Sequence, residues 1–191
     1  MLTLVIYMKK LPNIEILDEK DKRLRQKSTD VTFPLPKEDK QRIQDMIEYL
    51  KMSQIEETKE YYNLRPGMGL AYIQLGIPKR IFVIVEELEP EEFETYVIIN
   101  PRIKSSSEEI VYIEEGEGCL SINRPTTGIV PRHARMTLNY FDEEGIEYEI
   151  RVREEIAVAF QHELDHLDGI LFTDKIDPKN PFKGKDIYRS I

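Results

Sequence analysis

Glu154-Glu155-Ile156-Ala157-Val158-Ala159-Phe160-Gln161-His162-Glu163-Leu164-Asp165-His166-Leu167 decides how the rest of this chain is read. Ile156, Val158, Ala159, Phe160, Leu164 and Leu167 leave little of the run polar, and a helix apolar nearly all round is a buried one. Gly169 stops it. The polar members Gln161, His162, Glu163, Asp165 and His166 therefore need partners in the interior. Within the run, His162-Glu163-Leu164-Asp165-His166 is an H-E-x-x-H pattern. Residues four apart lie on one helical face, so the two imidazoles can grip the same ion. Glu163 is turned aside by one residue, where it reaches water beside that ion without being a ligand. The chain has 3 histidines, and this run uses two of them.

Outward from this helix the pattern changes to strands. Met136, Leu138 and Tyr140 alternate with polar residues, Asp142-Glu143-Glu144-Gly145 turns the chain, and Ile146, Tyr148, Ile150 and Val152 alternate back, which predicts a hairpin. Ile81 to Val85 and Tyr96 to Ile99 read as short buried strands, separated by an acidic interruption at 86–94 that contains Pro90; Ile110 to Ile113 suggests a third. The first third reads as helical and charged. Pro34 and Pro36 close an extended stretch, acids at Glu38 and Asp39 suit a first helical turn, and Ile43, Met46, Ile47 and Leu50 form one apolar stripe. Residues 53–66 are polar, with Asn63 and Pro66 as breakers, and read as a loop, or as an extension of that helix ending in one. Strands flanked by segregated helices predict an α+β fold, with antiparallel or mixed sheets packed around a central buried helix that carries the metal motif. At 191 residues the chain suits a single catalytic domain spanning 1–191.

The balance of the chain narrows the classes of function. A net charge of −9 argues against broad nucleic-acid binding and leaves no case for specific DNA recognition. The single cysteine rules out an intramolecular disulfide framework and fits a cytoplasmic setting. No apolar run approaches membrane-spanning length, and the short apolar opening Met1 to Met8 reads as an ordinary N-terminal segment.

A catalytic site of this type needs a third protein ligand. In the protease pattern H-E-x-x-H-x-x-G-x-x-H the last position here is Phe172, and no glutamate follows His166, leaving only Asp174, Asp177 and Asp186 as weak substitutes. Upstream, Glu115-Gly116-Glu117-Gly118-Cys119-Leu120-Ser121 holds the only cysteine, and a thiolate is a good ligand for zinc or ferrous iron. Cys119 is the stronger candidate; His133, between Arg132 and Ala134, is the competitor.

Gly67-Met68-Gly69-Leu70-Ala71-Tyr72-Ile73-Gln74, Glu117-Gly118-Cys119-Leu120-Ser121 and Gln161-His162-Glu163-Leu164-Asp165-His166, in that order, resemble the three motifs of the peptide deformylases. These enzymes remove the formyl group from the N-terminal formyl-methionine of newly made proteins. The likeness spans most of the chain, and the segments at 53–66 and 86–94 resemble the insertions of the type 2 class. The resemblance implies a metal site of Cys119, His162 and His166, with one divalent ion per chain, Fe(II) favoured and Zn, Ni or Co substituting. It implies Glu163 as the base and proton carrier, with Gln74 (side-chain amide) and Leu120 (backbone N–H) as donors to the oxyanion. Gly67 and Gly69, lacking a Cβ, let a nascent peptide approach and pair like an added strand, while Met68, Val158, Ala159 and the edge of His162 are candidates for the methionine pocket. Tyr72 and Ile73 stand where the family carries small residues, a change expected to bear on local packing and the pocket wall. Arg132, Asp165 and Glu117 read as an ion-paired support, and Lys179, Lys183, Lys185 and Arg189 as a mild basic cluster, either a solvated tail or a transient ribosome contact. The rival functions are a zinc metallopeptidase built on the same helix and a metal-stabilised binding domain without catalysis. Cys119 as a ligand speaks against the first and Glu163 against the second.

Overall fold

In the computed structural model, which describes residues 9–191, β-branched and aromatic runs assemble two sheets on either side of the motif helix. The larger sheet is antiparallel throughout, in the order β1 (Gly69–Ala71), β2 (Ile81–Glu89), β3 (Glu92–Ser106), β6 (Arg135–Phe141) and β7 (Glu147–Arg153). The smaller has β4 (Ile110–Tyr112) at its centre, antiparallel to β5 (Arg132–His133) and parallel to β8 (Arg189–Ser190).

Side chains of a strand alternate between faces, and β2 is buried on both. Phe82 and Ile84 pack with Ile98, Met136 and Leu138 against Ala157, Phe160 and Leu164 of α3 (Glu154–Leu167). Phe160 is the centre of that contact, edge-on to Phe82 at 5.4 Å and to Tyr96 at 5.6 Å. Ile81, Val83 and Val85 face the other way, toward Ile43, Met46 and Leu50 of α1 (Lys37–Gln54). The stripe read from the sequence is thus the seam of α1 on the sheet. On its far side α3 places Val158 against Val111 and Ala134 of the smaller sheet. The motif helix is therefore central, between two sheets, as an α+β reading requires. Gly169, at φ +75°, closes α3, and a Cβ there would meet the backbone of Arg25 at 2.6 Å.

Three expectations are corrected. Between residue 9 and α1 the chain is irregular apart from a 3-10 turn at Lys22–Arg25, not helical. Its charges are of both signs, and its buried apolar side chains, Leu17, Leu24 and Leu35, come too sparsely to make a helical stripe. The reading of 53–66 as a loop is corrected, and the other reading, an extension of the helix ending in a loop, is what forms: after a break where Ile55 leaves the helical conformation, α2 (Glu56–Tyr62) continues the helical run and ends at Asn63 in the left-handed region. The acidic stretch 86–94 does not interrupt the strands: Glu86↔Glu94 and Glu87↔Phe93 stay paired, and only Pro90 and Glu91 turn the chain. Backbone pairing overrides the composition there because the side chains point into water. The 136–152 hairpin forms in the expected register, with Met136 opposite Val152 and Leu138 opposite Ile150. Met1 to Met8 lie outside the described residues. Among those described, no helix is long and apolar enough to cross a membrane.

Candidate active site

On α3, the i, i+4 spacing brings the rings of His162 and His166 to 5.0 Å between centroids. Cys119, on the turn after β4, completes the group: one ligand atom from each of Cys119, His162 and His166 lies within 4.8 Å of the others. Cys119 Sγ is 3.3 Å from His166 Nε2. His133 is exposed, its Nδ1 lies 2.6 Å from the Ser107 carbonyl oxygen, and it has no place in the group. Phe172, where the protease pattern would put a histidine, instead stacks on the His162 ring at 5.8 Å and 29°. Of the weak substitutes, Asp174 pairs with Arg25 and Asp177 with Lys183.

Polar side chains hold these three residues in place. Arg132 is 2% exposed and donates from Nε and Nη2 to the two Glu117 oxygens at 2.7 and 2.8 Å, and from Nη1 to Asp165. Glu117 Oε2 in turn accepts from His162 Nδ1 at 2.9 Å, which fixes the ring and leaves its Nε2 for an ion. Lys175 adds a second cation at Asp165, 3.2 Å away. Burial would raise the Glu117 carboxyl, but the Arg132 and His162 bonds outweigh it and hold the group down at about 2. The same exchange works on the histidines. Burial disfavours charge on both, and His166 stays well below the ordinary imidazole range, whereas the hydrogen bonds His162 donates to Cys119 and Glu117 carry it well above that range.

Gln74 reaches the site from a short 3-10 turn after β1. Its Oε1 accepts from the Ala71 N–H at 2.8 Å, which orients the amide so that Nε2 faces Ser121 Oγ at 3.1 Å and Cys119 Sγ at 3.6 Å. The Ser121 N–H also points at Sγ, at 3.4 Å, and N–H donors suit a sulfur that bears charge as a metal ligand. Glu163 is 3% exposed, its Oε2 has no hydrogen-bond partner, and burial lifts its carboxyl to about 7. Gly69 lies directly over it: a Cβ there would overlap Glu163 Oε1 and lie 2.9 Å from Ile84 Cδ1. A Cβ on Gly67 would come within 2.7 Å of the Leu120 side chain. Both glycines thus have a steric cause beyond chain turning.

Most of the predicted site opens on one cavity of about 730 Å³. Gly67, Met68, Gly69, Val158 and Ala159 line it with Cys119, Leu120, His162, Glu163 and Gln74; of the predicted set only His166 lies behind the wall. Tyr72 and Ile73 do not line it. Tyr72 is buried on the α1 face, its hydroxyl donating to the Asp39 carbonyl at 2.9 Å, and Ile73 belongs to the α3 core. The expectation that they shape the pocket wall is corrected: the turn carries them inward. Sequence reasoning missed Arg65, whose Nη1 donates to the Ile122 carbonyl at 2.8 Å and whose Nη2 donates to that of Leu120, clamping the glycine segment to the cysteine turn. It also missed Glu155, Glu114 and Glu115 at the cavity rim. A charged residue beside each motif was the only signal. Half of the C-terminal basic cluster is paired: Arg189 binds Glu109 and Glu154, and Lys183 binds Asp177.

The family model for polypeptide deformylase matches residues 14–182. The peptide deformylase of Shouchella clausii is 47% identical over 170 residues, covering 88% of this chain and 93% of its own. That of Levilactobacillus brevis is 44% identical over 176 residues, 90% of this chain and 94% of its own. The crystal structure of a peptide deformylase from Legionella pneumophila superposes with a TM-score of 0.70 at 30% identity, over 87% of each chain, and that from Thermus thermophilus with 0.69 at 34%, over 87% of each. The metallopeptidase alternative finds no support in these likenesses. With a Cys-His-His group, a buried unpartnered glutamate and three ordered motifs around one cavity, the chain belongs to the polypeptide deformylase family, metal-dependent enzymes that remove the formyl group from N-terminal formyl-methionine.

Proposed function

We propose that Cys119, His162 and His166 hold one divalent metal ion and that Glu163 moves the protons of deformylation. The single observation that carries this is the Glu163 carboxylate: 3% exposed, with Oε2 unpartnered, on the cavity that the Cys119 and His162 ligand atoms also line. The donor set of one sulfur and two imidazole nitrogens fits a four-coordinate site with an open position. A bound ion would supply Lewis acidity and acidify water at neutral pH.

The protein's own residues do the rest. Water adds to the formyl carbon, and its proton passes to Glu163, whose affinity at about 7 suits a base that must later act as an acid. The C–N bond then breaks, Glu163 returns the proton to the leaving amine, and formate departs. Negative charge on the former carbonyl oxygen is met by the Gln74 amide, already oriented by Ala71, and by the Leu120 N–H. The substrate backbone lies along Gly67–Gly69, since β1 is an edge strand of its sheet and offers unpaired backbone groups. Met68, Val158 and Ala159 receive the methionine side chain.

Fe(II) is the proposed ion in cells, with Zn, Ni or Co able to replace it, because sulfur and imidazole serve all four. The chain is further assigned to the type 2 class, on α2 and the long β2–β3 hairpin. We treat it as one catalytic domain over 1–191, supported by the shared cores on both faces of one sheet. It works in the cytoplasm, on the formylated N-termini of newly made chains. Formate release from formyl-Met-Ala-Ser, with metal analysis of anaerobically prepared protein, tests these roles together. Loss of bound metal in Cys119→Ala is expected; a variant that still binds one ion normally overturns the ligand set.

A further inference from the structure

The turn Cys119–Ile122 is held by its carbonyl groups, and one exposed side chain holds half of them. The Cys119 carbonyl accepts from the Ile122 N–H at 3.1 Å, and that of Ser121 from the Glu19 N–H at 2.8 Å. The other two belong to Arg65, whose Nη1 donates to the Ile122 carbonyl at 2.8 Å and whose Nη2 donates to that of Leu120. A guanidinium is a planar, rigid fork, so one side chain sets the spacing and tilt of both peptides. The Leu120 N–H shares a peptide with the Cys119 carbonyl. In a trans peptide the two point opposite ways, so tying that carbonyl to Ile122 turns the Leu120 N–H out of the turn, where it has no acceptor among the described residues.

Arg65 itself stands on the other wall of the cavity. Two residues on, Gly67 is anchored to the end of α1: its N–H donates to Ser53 Oγ at 3.1 Å, and its carbonyl accepts from Gln54 Nε2 at 3.0 Å. The same Gln54 nitrogen reaches the Val85 carbonyl at 3.0 Å, and the Val85 N–H donates to the Met68 carbonyl at 2.8 Å. The glycine segment is thus fixed to helix and sheet before Arg65 reaches across. Both of its contacts are to neutral carbonyls of one turn, an arrangement that sets geometry and neutralises no charge.

We propose that Arg65 is a positioning residue for deformylation, acting through the Leu120 peptide: it fixes the gap between the strand that carries the substrate and the turn that carries the oxyanion donor. The inference rests on the reading of this cavity as the deformylation site and of the Leu120 N–H as a donor to the oxyanion. A donor misplaced by about 1 Å can cost about a hundredfold in rate, and the loss falls on the step in which the oxygen gains charge.

The test follows formate release from formyl-Met-Ala-Ser, per bound metal ion, in Arg65→Met, Arg65→Lys and Arg124→Met. Arg65→Met is expected to lower kcat about 10–100-fold with KM within about threefold, because the lost alignment matters only in the transition state. Arg65→Lys can reach one carbonyl but not hold two at a fixed spacing, so it should recover part of kcat, and it decides the matter if the methionine variant does not fold. Arg124→Met removes an equal charge just beyond the same turn, where Arg124 pairs with Glu19 at 2.8 Å, and should leave kcat unchanged. Unchanged kcat in both Arg65 variants overturns the positioning role, as does a loss confined to KM. A fall that Arg124→Met matches, or one that vanishes when rates are divided by bound metal, overturns it too. A parent protein that releases no formate would instead sink the reading of the cavity, and the role of Arg65 with it.

Discussion

α1 and α3 pack on opposite faces of one sheet, and the two seams are built to different rules. The α1 seam is closed. Ile43, Met46 and Leu50 are fully buried against Val83 and Val85, and its buried polar residues are answered, Asp39 by Lys79 at 2.6 Å and Ser53 by the Leu50 carbonyl at 2.8 Å, which leaves only Nε of the half-buried Arg42 without a partner on α1. The α3 seam is open. It buries His162, Glu163, His166 and Arg132, and it leaves Glu163 Oε2 and His166 Nδ1 without partners. An unpaired buried polar atom costs about 1–3 kcal/mol, so the second seam gives up stability for reactivity. The apolar packing of α1, with that of Phe160 in the lower half of α3, is what makes the loss tolerable.

That contrast can be broken in order of expected effect. Glu163→Gln should lower kcat/KM on formyl-Met-Ala-Ser by about 10²–10⁴ while bound metal stays at one per chain; full activity with metal in place would remove the base. Arg132→Met leaves the Glu117 and Asp165 carboxylates buried beside no guanidinium. A loss of about 3–5 kcal/mol in denaturant titrations and a fall of about 10–100-fold in metal affinity are expected, and an unchanged protein would make the ion network ornamental. Leu50→Ala, on the closed seam, should cost about 2–5 kcal/mol in stability with kcat/KM per folded molecule preserved. If activity fell instead, the seams would not be separable. Gly69→Ala displaces the base without touching a ligand, so about a hundredfold loss in kcat with near-native unfolding midpoint is expected.

The smallest effect lies at Asp174, which ties the 3-10 turn at Lys22–Arg25 to the segment behind α3. Burial would raise its carboxyl, but the Arg25 pair and the Leu171 N–H, at 2.9 Å, hold it below its ordinary 3.8. A depressed carboxyl stabilises above the ordinary value and loses that stabilisation as pH falls through the lowered one. Unfolding midpoints followed from about pH 6 to pH 3 should therefore drop more for the parent chain than for Asp174→Asn, by under about 1 kcal/mol for so exposed a pair. Equal slopes would show that the pair contributes nothing.

The legible part of this molecule was the part written in local pattern. The 3.6-residue stripe of Ile43, Met46, Ile47 and Leu50, the alternation around Asp142–Gly145 and the H-E-x-x-H run each occupy one helix or one hairpin, and each formed as read. Charge alone misled at 86–94, since exposed acids do not break backbone pairing.

What the sequence by itself determined was chemistry: which helix carries two imidazoles and a carboxylate on adjacent faces, and that a lone cysteine was the best remaining ligand. Those follow from residue type and helical period, which need no partner. What only the tertiary structure decided was company. His133 and Cys119 were both available, and the turn after β4 brought one to 3.3 Å from His166 while β5 left the other at the surface. Tyr72 and Ile73 went into the two cores and not into the pocket, and Glu155, Glu114 and Glu115 met at one rim from segments forty residues apart in the chain. Contacts between distant segments depend on how sheets and helices close on each other, and no local pattern encodes that distance.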